Sequence, residues 1–254
     1  MAPVLDSLSI VLPAFDEAAR LPATLGRIFA WLDEQAMGAD RVEVIVVDDG
    51  SGDDTVKLAR AAAEIEPRLW VECLPRNMGK GAAVRRGVEV ASRDWVLFSD
   101  ADLSTPIEEL LLLVRAADAG AEIVIGSRDT SGSRIERHQP WYREAMGRTF
   151  NRFVRVVAVP GFRDTQCGFK LFSASAARDC FGRQTIDGFA FDVEILWIAW
   201  RRGYRIAEVG IRWINDDRST VDPIRDSARM LADLARIRWR QRGIGLRQTD
   251  AAGS

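Results

Sequence analysis

Two aspartates one residue apart, Asp100 and Asp102, end the apolar run Trp95-Val96-Leu97-Phe98-Ser99 and stand just before Ser104-Thr105-Pro106. The run is short and lacks helical spacing, so it predicts a buried strand, and the Thr-Pro opens the next helix. Both carboxylates then fall at a strand's carboxyl end, the edge where open α/β sheets bind ligands. Alternate residues leaving a strand can turn the same way, so the two acids could grip one hard cation, Mg²⁺ or Mn²⁺. An Asp-Ala-Asp by itself is equally compatible with one helix-capping Asp beside a solvated one. Two more acidic loops, Asp16-Glu17 and Asp48-Asp49, follow other apolar runs, and a parallel sheet brings all three to one edge. Such a cluster repels itself unless cations or hydrogen-bond donors are supplied. A divalent ion on a diphosphate satisfies it, and the remaining acids can accept from ribose hydroxyls or a base edge. That is ligand chemistry for a nucleoside diphosphate. Lys80, in Asn77-Met78-Gly79-Lys80-Gly81, stands at a helix start where it meets a phosphate or base, or else is a solvated turn lysine. The segment is not a Walker loop, because Leu74 and Gly81 replace its first glycine and its Ser or Thr.

The elements that must position these acids can be read in order. Ser7 to Pro13, Val42 to Val47, Trp70 to Leu74, the Trp95 run and Glu122 to Gly126 predict five strands, each followed by a helical pattern. Alternation of this kind gives a mostly parallel, doubly wound sheet. Beyond Ser127-Arg128 the pattern loosens. Trp141 to Val159 has helical spacing with Arg143, Arg148, Arg152 and Arg155 interleaved, and Pro160-Gly161 stops it. Asp164 to Lys170 is a polar insertion among apolar neighbours, Asp192 and Glu194 open a helix that is apolar almost all round, and Arg205 to Trp213 alternates like a last strand. Residues 221–242 form an amphipathic helix, with Ile224, Ala228, Leu231 and Ala235 on one stripe and Arg225, Arg229, Arg236 and Arg240 on another. That helix either lies on an anionic membrane surface or docks on the domain with a solvated arginine face. Residues 243–254 are expected to be a disordered tail, and residues 1–220 a single catalytic domain.

Bulk properties exclude several classes. A chain of 254 residues, 47% apolar, buries a full core, and a net charge of -2 gives no general attraction to nucleic acid. Three scattered cysteines without Cys-x-x-Cys argue against a disulfide framework or zinc site and suit a reducing cytoplasm. With His138 as the single histidine, chemistry falls to carboxylates, Lys and Arg. No basic start with an apolar run marks a signal peptide, and no eighteen apolar residues run on without charge, so the protein is expected to be soluble or peripheral.

Taken together, Leu12-Pro13-Ala14-Phe15-Asp16-Glu17, Val47-Asp48-Asp49-Gly50-Ser51, the Asn77 to Gly81 segment, Asp100 to Pro106 and Gly126-Ser127-Arg128 give the chain a family likeness. Arg137 to Pro140, Met146 to Asn151, Asp164-Thr165-Gln166-Cys167-Gly168-Phe169-Lys170 and Gly188 to Glu194 extend it. The chain resembles family 2 glycosyltransferases of the GT-A fold, and among them the dolichyl-phosphate β-glucosyltransferases and other polyprenyl-phosphate enzymes. The resemblance implies inverting transfer of glucose from UDP-glucose to a polyprenyl phosphate, at the cytoplasmic membrane face. It implies donor contacts at Pro13, Phe15, Glu17, Asp48, Asp49, Lys80, Asp100 and Ala101, and metal contacts at Asp100, Asp102 and Ser104. Acceptor phosphate would meet Arg128 and Arg148, and Asp164, Gln166 and Asp192 would line the reaction centre, Asp164 as a possible base or else a turn cap. Ser104 stands where mannosyl-transferring relatives carry Gln, which favours the glucosyl branch. GDP-mannose, a soluble acceptor, or a silent nucleotide-sugar-binding module are the competing readings. Membrane-bound relatives often add an anchoring helix that this sequence does not show, so the arginine-striped tail is the candidate route to the lipid.

Overall fold

A computed structural model describes residues 4–137 and 161–214, with Asp233, Arg236, Ile237, Trp239 and Gly245 beyond them. Its centre is a seven-stranded sheet built from β1 (Leu8–Ala14), β2 (Val42–Asp48), β3 (Leu69–Cys73), β4 (Trp95–Ser99), β5 (Ile123–Ser127), β7 (Phe169–Ser173) and β8 (Ile206–Gly210), in the order β3-β2-β1-β4-β7-β5-β8. All neighbouring pairs are parallel except those made by β7, which runs antiparallel to both β4 and β5. The five strands expected in the first half are present, and the sheet is mixed α/β and mostly parallel. Burial alternates along the strands between two faces. Val96 and Phe98 of β4 join one core with Val11, Ile45 and Val47, whereas Trp95 and Leu97 join the other with Ile10, Leu12 and Val44. Over the first face lie α3 (Lys80–Val90), α5 (Ala174–Phe181) and α6 (Phe191–Arg202). The second is covered by α1 (Leu21–Glu34), α2 (Thr55–Ala63) and α4 (Leu110–Asp118), each presenting apolar residues at helical spacing. The result is the three-layer arrangement that a sheet apolar on both sides requires.

Two departures from the sequence reading bear on the site. The segment from Phe169 is a fully buried central strand, not an extension of a polar insertion. Arg205 to Trp213 is not one strand: β8 ends at Gly210, and β9 (Arg212–Ile214) pairs instead with β6 (Arg134–Arg137) in a separate two-stranded ribbon. Gly210 sits at this corner, where a Cβ would come 2.6 Å from the Ser133 nitrogen, so the chain can switch sheets only without a side chain.

The helix expected over 141–159, with Arg148, lies outside the described residues, as does His138. So do most of the expected helix 221–242 and the tail 243–254. Asp233, Arg236, Ile237 and Trp239 are helical; Ile237 is fully buried in the core that α5 and α6 share, whereas Trp239 is 70% exposed. Among the described residues no helix is long and apolar enough to cross a membrane.

Candidate active site

The carboxyl ends of β1, β2 and β4 converge because these strands are parallel neighbours in register. Their loops are joined by side chains acting on backbone. Asp16 accepts from Gly52 N–H at 2.8 Å while its own N–H donates to the Ser51 hydroxyl, and the Glu17 N–H donates to Thr55. The Glu17 carboxylate itself pairs with Arg20 at 2.5 Å. Asp48 takes the Gly50 and Ser51 N–H groups of its own turn, and Asp49 reaches across to Met78 N–H and Gly79 N–H at 2.7 and 2.8 Å. Burial raises the Asp49 pKa, and the two N–H donors only partly offset it. Phe15, 44% exposed, stands over this side of the edge, and Pro13 lies just below it in β1.

The helix carrying Lys80 is placed by contact rather than by a cap. Gly79 has φ of 109°, and a Cβ there would lie 2.4 Å from the Asp187 carbonyl, which accepts from Gly81 N–H at 2.7 Å. The Lys80 ammonium therefore projects to the end of β4, 2.7 Å from Asp100 Oδ1 and 5.3 Å from the Phe98 ring centroid. Burial opposes its charge, but Asp100, Asp192 and Asp102 outweigh that and raise its pKa.

Asp100 and Asp102 are brought together as expected. Asp102 accepts from Ser104 N–H at 2.9 Å and also from the Ser104 hydroxyl. The turn between them holds Leu103 at φ 46°, and the buried Ala101 carbonyl accepts from Thr24 at 2.6 Å. Burial first, then the charge of Asp100, raises the Asp102 pKa. Asp100 Oδ1 is buried, and the Lys80 ammonium 2.7 Å away is its partner. An acid pair answered by one lysine, with the ionisation of Asp102 resisted by burial and by its neighbour, is what a divalent cation relieves, so the two acids fit such an ion. Among the described residues no group of three or more His, Cys, Asp or Glu converges to hold a metal. The donor set therefore matches an ion that keeps waters and phosphate oxygens rather than one caged by protein.

Asp100 has room because of the next strand. Its N–H donates to the Gly168 carbonyl at 3.0 Å, and a Cβ on Gly168 would stand 2.0 Å from its carboxylate. Gly168→Ala is expected to displace that carboxylate and to lower turnover by about 100-fold with little change in unfolding midpoint, since misplacement near 1 Å costs that much. Steady-state rates beside a denaturation curve check it.

The residues expected to line the reaction centre separate into different roles. Asp164, 1% exposed, accepts from Arg128 Nε at 2.7 Å, Nη2 at 2.9 Å and its backbone N–H at 3.0 Å. Burial opposes its charge, but Arg128 prevails and lowers its pKa, so it is a poor base. Gln166 N–H donates to the same carboxylate at 3.3 Å. Asp192 forms a buried ion pair with Lys170, whose ammonium also donates to the Cys167 carbonyl at 2.6 Å and lies 5.7 Å from the Phe98 ring centroid. Burial raises the Asp192 pKa despite that partner. Glu194 is not free for catalysis: its carboxylate holds Thr185 and Ile186 by three bonds of 2.7 to 2.9 Å. Neither acid caps α6, whose N-cap is Ala190. Burial pushes the Cys167 thiol up to about 12, so it packs and does not react. Sequence reasoning did not assign Gly168, Lys170 or Trp213, because each meets its partner from a distant segment of the chain.

Residues 9–181 match the pattern of the family described as glycosyl transferase family 2. The dolichyl-phosphate beta-glucosyltransferase of Dictyostelium discoideum is 36% identical over 244 residues, 92% of this chain and 74% of that protein. The protein of the same name from Homo sapiens is 33% identical, covering 92% and 75%. Glucosyl-3-phosphoglycerate synthase from Mycobacterium tuberculosis, solved with Mn²⁺ and UDP-glucose, superposes with a TM-score of 0.63 at 20% identity, covering 96% of this chain and 81% of that one, and so shares the fold. A family pattern over most of the chain, together with relatives this similar along nearly the whole length, makes the chain a glycosyltransferase of family 2.

Proposed function

We propose that the protein transfers glucose from UDP-glucose to a polyprenyl phosphate of the dolichyl type, with inversion and with a divalent metal. The reading is supported above all by one observation: an acid pair suited to a diphosphate-bound cation stands at the same edge as an arginine held rigidly beside it. Relatives named for dolichyl phosphate at 33–36% identity favour a lipid acceptor over the phosphoglycerate of the more distant fold neighbour.

In this reading Asp100 and Asp102, with Ser104 fixing Asp102, would hold Mg²⁺ or Mn²⁺, which supplies charge neutralisation for the departing diphosphate. Phe15, Pro13, Glu17, Asp48, Asp49 and Ala101 form the nucleotide side. Each Asp48 and Asp49 carboxylate uses part of its roughly four lone-pair sites on loop N–H groups and keeps the rest for a base edge. Lys80 transfers its attraction from Asp100 to a phosphate. An acceptor phosphate oxygen attacks the anomeric carbon as the bond to the diphosphate breaks and the electron pair leaves with UDP. That oxygen already bears charge, so no proton need be removed. Arg128, with Arg148, offsets the repulsion between two anions, and Gln166 and Asp192 line and support the centre. The protein works peripherally on the cytoplasmic membrane face, reached through the arginine-striped tail.

Purified protein incubated with labelled UDP-glucose, Mg²⁺ or Mn²⁺, and a short polyprenyl phosphate is expected to yield lipid-linked glucose. A donor and acceptor panel giving product only with GDP-mannose, or only with a soluble phosphate, would replace the reading.

Asp164 supplies a second test. Its depressed pKa means the stabilising pair with Arg128 is fully present above the ordinary value of 3.8 and is lost only as pH falls through the lower one. Asp164→Asn is expected to raise the acceptor KM about tenfold or more, the scale of a charge-assisted hydrogen bond, while the rate profile keeps its shape between about pH 5 and 9. Loss of a titrating limb in that window would instead make Asp164 the base.

A further inference from the structure

Arg128 is constrained on more sides than an ion pair alone would give. Its Nε and Nη2 form the bidentate edge on Asp164. The guanidinium carbon lies over the Trp213 ring, 5.6 Å from the centroid, within cation–π range. No described residue accepts a hydrogen bond from Nη1, and the side chain keeps 30% of its surface exposed.

Both walls of this slot are themselves pinned. Asp164 is fixed by its N–H on Glu208 of β8 at 2.9 Å. Trp213 sits in β9 between two anchors, the Arg212 N–H on Glu109 at 3.0 Å and the Ile214 N–H on the Ser104 carbonyl at 2.8 Å. Ser104 is the residue whose N–H and hydroxyl hold Asp102. The ring that covers the guanidinium is thus tied by one residue to the loop that presents the acid pair. Asp100 in turn feels and reinforces the Arg128 charge.

We propose that Trp213 is a positioning residue for the acceptor phosphate. Its ring, packed against the guanidinium, holds Arg128 so that the Nη1 edge, which no described residue takes up, faces the anion, and its anchorage through Ile214 and Ser104 sets the distance of that edge from the acid pair. The role rests on the reading of Arg128 as the acceptor-phosphate group and assigns Trp213 no contact with substrate. Trp213→Leu removes the π-face but keeps an apolar side chain, and Trp213→Phe keeps a smaller face.

The experiment is steady-state transfer from UDP-glucose to a short polyprenyl phosphate, with the donor and acceptor KM values measured separately and UDP binding measured by calorimetry. Trp213→Leu is expected to raise the acceptor KM by about 2-fold to 30-fold, the span of a cation–π contact, with UDP affinity and donor KM unchanged. Trp213→Phe should recover most of that loss. Equal acceptor KM in wild type and Trp213→Leu, or a Leu defect shared equally by donor and acceptor, overturns the assignment while leaving the proposed reaction standing. Wild type that binds UDP but shows neither binding nor turnover of the lipid phosphate overturns the acceptor reading and this inference with it.

Discussion

Asp102→Asn is expected to lower glycosyl transfer by about 100-fold to 1,000-fold, the cost of removing one preorganised electrostatic group from a site where charge develops. The substitution is nearly isosteric, and the amide oxygen still accepts from Ser104 N–H as the carboxylate does at 2.9 Å. The loop therefore keeps its shape and the loss falls on charge alone. Asp102 is already under strain of a particular kind: burial and Asp100 push its proton affinity up from 3.8. Neutralising it is expected to stabilise the metal-free protein slightly while weakening Mn²⁺ binding, two opposite signs from one change. For the same reason metal affinity of the wild type declines as pH falls toward the raised value, before ordinary carboxylates titrate. Calorimetric Mn²⁺ titration of both proteins in the presence of UDP, beside their unfolding curves, checks all three. An Asn variant with full turnover would remove Asp102 from the reaction.

Lys170→Met is expected to destabilise the protein by about 3–5 kcal/mol, because it leaves Asp192 as a buried charge without its partner. Against a total stability of about 5–15 kcal/mol that is a large share. Lys170 is 1% and Asp192 4% exposed, and the lysine lies in the middle of the sheet, opposite Phe98 on one side and Ile125 on the other. Water cannot reach the aspartate to compensate. The double variant Lys170→Met with Asp192→Leu is expected to recover most of the loss, since two apolar groups leave no charge behind. Urea midpoints at unchanged slope give the comparison, and a single variant as stable as wild type would mean that Asp192 is neutral in the folded protein.

Much of the framework is legible in the chain. The runs at Ile10, Val44 and Leu97 are continuous apolar strands because both sheet faces are covered, and each ends in an acid where the parallel sheet turns into loops. The Asp100–Asp102 pair and Lys80 could be placed at that edge from strand-and-helix alternation alone. What resisted reading is tertiary. Phe169-Lys170-Leu171-Phe172-Ser173 carries a charge at its second position, so it does not look like a central strand until Asp192, 22 residues on, is seen to neutralise that charge. The alternation from Arg205 to Trp213 passes unbroken through the point where the chain leaves one sheet for another, because a side-chain period of two says nothing about which neighbour a strand will choose. Arg128, Asp164 and Trp213 meet from three distant segments, and no local spacing announces them. Glu194 stands beside Asp192 at a helix start, but in the fold its carboxylate is committed to Thr185 and Ile186, which no local spacing announces.

The reversed strand at the centre of the sheet has a consequence for how the protein comes into being. β1 to β4 complete one another in chain order, but β5 finds no place beside β4 until residues 169–173 have left the ribosome and slid between them. During that interval a nascent chain presents two unpaired strand borders, each a template for a neighbour on the same message. Release of the chain before the wedge arrives should leave material prone to self-association, whereas its insertion closes the gap between β4 and β5 and, through Gly168 and Lys170, seats Asp100 and Asp192 in the same movement.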